Sequence, residues 1–130
     1  MSLAPTALIV DDERDLAWAL EQTLIRDGWQ VAIAYTGSAA IECATSLPIQ
    51  IAFVDAKLPD MSGLGVGERI SKLQPEAMVV LISGYFYPED AEVQEALQRG
   101  LFAHFISKPL DLDEILALAC ARRATNHRGL

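Results

Sequence analysis

Five short apolar runs punctuate the chain, and each is followed by polar residues and then by a stretch with helical spacing. The runs are Thr6–Val10, Gln30–Ala34, Ile51–Asp55, Met78–Ile82 and Leu101–Ile106. Runs of this length with little polar relief predict strands buried on both faces, as inside a parallel sheet covered by helices. Between them, Arg14–Asp27 carries Leu16, Leu20 and Leu24 at every fourth position and ends at Gly28, the pattern of a helix with a glycine C-cap. Trp18 and Ile25 fall on its opposite face, as a partly covered surface pair. Gly37–Ser46 is a small-residue helix ending before Pro48, and Leu64–Leu73 is a helix with a weak start at Leu64, Gly65 and Gly67 and a stop at Pro75. Glu89–Arg99, with Ala91, Val93, Ala96 and Leu97 apolar, is capped by Gly100. Leu112–Arg123 places Ile115, Leu116, Leu118 and Ala119 inward, and the pattern is lost from Ala124 onward.

Strands and helices alternating at this spacing predict a doubly wound α/β domain with a parallel sheet, right-handed crossovers and Met78–Ile82 as a central strand. With 130 residues, 52% of them hydrophobic, one core and one domain are expected, over residues 4–123. Residues 124–130 are expected to form a tail or the start of a linker to an effector domain, with Arg122, Arg123 and Arg128 nearby. The formal charge of −8 repels phosphate backbones and anionic membranes, so neither nucleic acid nor a membrane surface is an expected partner. No apolar run approaches the roughly 18 residues of a spanning helix and the first residues lack a signal-peptide layout, so a cytoplasmic location is expected. Cys43 and Cys120 form no C-x-x-C pair and are expected to be two buried, reduced thiols.

Four strand ends carry polar chemistry: Asp11 and Asp12 after the first, Asp55 after the third, Ser83 after the fourth and Lys108 after the fifth. In a parallel sheet these ends share one edge, where open α/β folds place their sites. Three carboxylates brought together repel one another unless a cation offsets them. Mg2+ suits such a set, because it takes one or two carboxylates, keeps water and leaves positions for phosphate oxygens. Lys108 offers a point charge for a phosphate oxygen, the Ser83 hydroxyl can donate to another, and a carboxylate at Asp55 is a competent nucleophile toward phosphorus. Each residue alone has a plainer reading: Asp12 as a helix N-cap, Asp55 as a turn residue, Ser83 as a loop hydroxyl, Lys108-Pro109 as a surface dipeptide. Capping does not require complementary groups at successive strand ends, and the coincidence favours the site.

Through Val10-Asp11-Asp12-Glu13, the segment Asp55 to Gly63, Ile82-Ser83 and Phe105-Ile106-Ser107-Lys108-Pro109, the chain resembles a response-regulator receiver domain over roughly Thr6 to Arg122. The resemblance implies a flavodoxin-like fold with strand order 2-1-3-4-5 and five helices. It implies Asp55 as phosphoacceptor, and Asp11, Asp12, Asp55 and the main-chain carbonyl of Lys57 as Mg2+ ligands. Ser83 becomes the switch hydroxyl, Phe105 the switch aromatic and Lys108 the phosphate-binding lysine. The implied donor is a phosphohistidine on a sensor kinase or histidine phosphotransfer protein. Output is implied at the Glu89–Arg123 face, toward an effector domain, another partner or a phosphorylation-linked dimer. The only catalysis implied is of the domain's own phosphorylation and dephosphorylation. The chain departs from the family in two places: Leu101-Phe102 stands where Gly-Ala is usual, and the stretch from Ser83 to Lys108 is longer, with the aromatic loop Tyr85-Phe86-Tyr87-Pro88 taking up the extra length. Both departures concern the output face.

Two other functions fit the residues less well. An aspartyl phosphatase of the dehalogenase type needs a second Asp two residues after the nucleophile, where Lys57 stands; a dinucleotide or flavin site wants a Gly-rich first turn, where Asp11-Asp12-Glu13 stands. A degenerate receiver acting only as a docking module is the remaining alternative.

Overall fold

A computed structural model describes residues 4–84 and 89–128. The strands are β1 (Thr6–Val10), β2 (Gln30–Ala34), β3 (Ile51–Asp55), β4 (Met78–Ser83) and β5 (His104–Ser107), all parallel, in the order β2-β1-β3-β4-β5. The helices are α1 (Arg14–Arg26), α2 (Gly37–Ser46), α3 (Gly63–Leu73), α4 (Ala91–Gln98) and α5 (Leu112–Arg128). Side chains of successive strand residues point to opposite faces, and the core divides accordingly. Leu8, Val10, Ala52, Val54, Val79 and Leu81 pack on one face against α2, α3 and α4. Ala7, Ile9, Ile51, Phe53, Val80 and Ile82 pack on the other against Leu20 and Leu24 of α1 and Ile115 and Ala119 of α5. The sheet is therefore buried from both sides, which is why its inner strands carry no polar alternation. Met78–Ser83 is internal as expected, but β3 occupies the middle of the sheet.

The fifth strand begins three residues later than its apolar run predicts. Leu101 belongs to the end of α4: its N–H bonds to Ala96 O at 3.0 Å while Gly100, at φ +73°, donates to Leu97 O at 3.0 Å. This is a helix-terminating motif in which the residue after the left-handed glycine folds back apolar side first. Phe102 follows as a buried plug in the core, so the Leu101-Phe102 pair serves packing rather than strand pairing. Helix α1 ends in the same way, with Gly28 at φ +91° and Trp29 N–H bonded to Leu24 O at 3.1 Å.

Other boundaries shift for local reasons. Helix α3 starts at Gly63 because the Ser62 hydroxyl accepts the Leu64 N–H at 3.2 Å. Helix α4 is shorter than its pattern at both ends. Helix α5 runs to Arg128, past the loss of apolar periodicity at Ala124; no Pro or Gly interrupts that stretch, and adding turns to an existing helix is cheaper than starting one. The cysteines depart from expectation: Cys43 is half-buried and Cys120 exposed, one position round from the inward Ala119. Trp18 and Ile25 are exposed as the α1 pattern predicts. The loop Tyr85–Pro88 lies outside the described residues. Among the described residues no helix is long and apolar enough to cross a membrane.

Candidate functional site

At the C-terminal edge of the sheet, each candidate side chain is held by its strand. Asp11 extends β1 by one step, its N–H bonded to Ala34 O of β2 at 3.1 Å. Asp55 is the last residue of β3, in register with Ile82, and Ser83 follows one residue further along β4, fully buried. Lys108 follows β5 directly, its N–H bonded to Ser83 O at 2.9 Å. Residues from β1, β3, β4 and β5 thus converge because the ladders hold their ends level.

Asp12, Glu13, Asp55, Lys57, Leu58, Pro59, Gly84 and Lys108 line a cleft of about 600 Å³. One carboxylate oxygen from each of Asp11, Asp12 and Asp55 lies within 4.8 Å of the other two. At about 4 Å and an effective dielectric of about 20, a pair of like charges repels by about 4 kcal/mol. The Lys108 ammonium offsets part of this, donating to Asp55 Oδ2 at 3.1 Å and lying 3.7 Å from Asp11 Oδ2. Asp55 Oδ1 accepts the Lys57 N–H at 3.1 Å, and Asp11 Oδ1 accepts the Glu13 N–H at 2.9 Å. Asp11 Oδ2 is buried without a hydrogen-bond donor. An orphaned buried carboxylate oxygen beside two further carboxylates is a donor set that fits a hard divalent cation.

The plainer readings of the site residues divide. Asp55 does bond within its own turn, through Lys57 N–H. Asp12 is not the N-cap of α1; that position belongs to Glu13, whose side chain turns to Lys108 instead. Phe105 is half-buried, pairs in register with Leu81, and packs on the core face shared by α2, α3 and α4.

Burial raises Asp11 to about 6 from 3.8; the Glu13 N–H and Lys108 lower it and the Asp55 and Glu13 charges raise it further. For Lys108, burial works against the charge, but its bonds to Glu13 and Asp55 and the charges of Asp11 and Asp55 outweigh it and raise the ammonium above its usual range. A carboxyl that binds its proton more tightly when folded stabilises the fold below about pH 4, and that stability is lost as pH rises through about 6. In chelator-containing buffer, the wild-type melting temperature should therefore fall over this window relative to that of Asp11→Asn. The gap between the two should widen by a few kcal/mol, in order of magnitude, from about pH 4 to neutral pH. Parallel pH profiles for the two proteins would count against the buried carboxylate.

Two contacts with distant partners escaped the sequence pattern. Glu13 Oε1 accepts from Lys108 Nζ at 2.9 Å, 95 residues away. Asp60, in the turn after β3, accepts the Gly37 N–H at 2.8 Å and the Ser38 N–H at 3.0 Å, tying that turn to the start of α2. These two bonds hold its carboxyl below the usual carboxylate range. The acidic run at Glu13 and the Asp60 turn were visible in the sequence, but their partners are set only by tertiary structure.

Comparison with known proteins places these observations in a family. The family model described as the response regulator receiver domain matches residues 7–119. The C4-dicarboxylate transport transcriptional regulatory protein DctD of Rhizobium meliloti is 32% identical over the whole chain, which spans 27% of that protein's length. Sporulation initiation phosphotransferase F of Bacillus subtilis is 30% identical over 83% of this chain and 85% of its own. Among solved structures, a response regulator protein from Burkholderia pseudomallei with a phosphorylated aspartic acid, calcium ion and citrate superposes with a TM-score of 0.79. It is 28% identical, over 87% of this chain and 65% of that one.

Proposed function

The chain belongs to the response-regulator receiver family of two-component signalling, and from that premise we propose that Asp55 accepts a phosphoryl group from a phosphohistidine of a sensor kinase or histidine phosphotransfer protein. The observation that carries this reading is the setting of Asp55: one carboxylate oxygen is held by the Lys57 N–H and the other by the Lys108 ammonium, beside Asp11 and Asp12. Two fixed donors orient the nucleophile, and phosphoryl transfer needs chiefly alignment and charge neutralisation.

An Asp55 oxygen attacks phosphorus; the P–O bond forms as the P–N bond of the donor breaks, the electron pair stays on the imidazole nitrogen, and that nitrogen takes up a proton from water. Water later attacks phosphorus, the P–O bond to Asp55 breaks, and inorganic phosphate departs. Asp11, Asp12, Asp55 and the main-chain carbonyl of Lys57 would hold Mg2+, which when bound would supply the countercharge that the phosphoryl oxygens need. Lys108 pairs with one phosphoryl oxygen and the Ser83 hydroxyl donates to another. The movement of Ser83 draws Phe105 inward and changes the Glu89–Arg123 face, a two-state shift set by local charge. The Burkholderia structure, with its phosphorylated aspartate and divalent ion, supports this assignment. The domain turns over nothing beyond its own phosphoryl group.

Residues 4–123 constitute the switch, and 124–130 are a tail or the start of a linker to an effector domain, the latter favoured by the transcriptional regulatory relative, of whose length the chain spans 27%. The changed face acts on that domain, on another output partner or on a second phosphorylated copy, and the protein works in the cytoplasm. Intact mass after incubation with acetyl phosphate tests the reading: one phosphate adduct is expected with Mg2+ and none with chelator. No adduct under either condition would favour a docking module instead.

A further inference from the structure

The Lys108 ammonium has three N–H donors and three carboxylates around it. Its shortest contact, 2.9 Å, is to Glu13 Oε1, ahead of Asp55 Oδ2 at 3.1 Å and Asp11 Oδ2 at 3.7 Å. Glu13 differs from the other two in setting. Its side chain is 62% exposed, whereas those of Asp55 and Asp11 are 7% and 2% exposed. Its backbone is fixed, with N–H on Asp11 Oδ1 and C=O accepting the Ala17 N–H as the first bond of α1. The side chain alone therefore reaches across the mouth of the cleft that both residues line.

A phosphoryl oxygen on Asp55 needs one of the three Lys108 donors. The contact most readily given up is the one to Glu13, because an exposed carboxylate returns to water at little cost, whereas moving the ammonium away from Asp11 would strip a buried carboxylate of its countercharge. Building on the phosphoacceptor reading, we infer that Glu13 is a positioning residue that holds Lys108 at the cleft mouth in the unphosphorylated protein and competes with the phosphoryl group for it. Its strength sets both how readily Asp55 is loaded and how long the phosphoryl group stays. The ion pair is partly exposed, so its effect is a modest rate factor.

Two measurements on wild type, Glu13→Gln and Glu13→Ala test this. The first uses no phosphodonor: limiting acetic anhydride, with the modified lysines mapped by peptide mass. Lys108 should be acetylated about two- to fivefold faster in Glu13→Ala than in wild type, as expected for loss of an exposed ion pair. The exposed Lys72 serves as internal reference, and Glu13→Gln, which keeps a hydrogen-bond acceptor without charge, should fall between. The second follows loading from acetyl phosphate at saturating Mg2+, where both variants should load about two- to fivefold faster and lose phosphate more slowly. Unchanged Lys108 labelling would overturn the inference even if every protein forms an adduct. Faster labelling with unchanged loading and loss would overturn the competition. Absence of any adduct in wild type would instead remove the phosphoacceptor reading, and the labelling arm reports on the ion pair independently of it.

Discussion

Asp55→Asn is expected to form no detectable phosphate adduct with acetyl phosphate and Mg2+, while melting within a few degrees of wild type. The amide has the volume of the carboxylate and its one oxygen still accepts the Lys57 N–H, so the turn after β3 keeps that bond, while the NH2 in place of Oδ2 cannot accept from the Lys108 ammonium. It lacks the ionised oxygen that attacks phosphorus, and losing a nucleophile lowers the rate by on the order of a thousandfold or more. Relief of repulsion among Asp11, Asp12 and Asp55 offsets the lost bond to Lys108, so little net change in stability is expected. Intact mass and thermal unfolding on the same sample check both halves. A stoichiometric adduct on the variant would contradict the assignment of Asp55.

Gly63→Ala should damage both fold and site, whereas Gly65→Ala, two residues along the same helix, should stabilise the protein. A Cβ on Gly63 would lie 2.0 Å from Asp55 O, 2.6 Å from Ala56 Cα and 2.7 Å from Asp55 C. All three are backbone atoms of β3 and the turn after it, and none can rotate away. The chain passes this close because the Gly63 N–H bonds to Ala56 O at 2.8 Å, closing the loop that Lys57 and Ser62 bridge. Overpacking of this kind costs about 1–3 kcal/mol or more. The expected fall in melting temperature is roughly 5–15 °C. Displacing Asp55 by even a fraction of an ångström should slow loading sharply, since a misplacement of about 1 Å costs on the order of a hundredfold. A Cβ on Gly65 meets nothing within 4 Å, and the lower entropy cost of alanine in a helix contributes about 0.5–1 kcal/mol. Melting curves that shift in the same direction for both variants would contradict the packing account.

The contrast between these two glycines illustrates what the sequence could and could not convey. In it Gly65 is a weakness at the start of a helix and Gly63 only the end of the segment that follows Asp55, and the approach of β3 alone shows which of them has no room for a side chain. The strands were legible because a sheet covered on both faces demands unbroken apolar runs, and β2 and β3 match their runs residue for residue. Leu101–Ala103 was misleading because an apolar stretch can close a helix and fill a core as well as pair in a strand. The convergence of Asp11, Asp12, Asp55 and Lys108 was legible because parallel strands end along one edge. The contacts of Glu13 with Lys108 and of Asp60 with α2 were not, since each joins loops with no periodic relation to one another.

Chemical trapping tests the central claim most directly. Reduction of the loaded protein with borohydride converts an aspartyl phosphate to homoserine, and peptide mass then locates the reduced residue. The account predicts homoserine in place of Asp55 alone, and only in samples loaded with Mg2+ present. Reduction at Asp11, Asp12 or Asp60, with Asp55 intact, would contradict it.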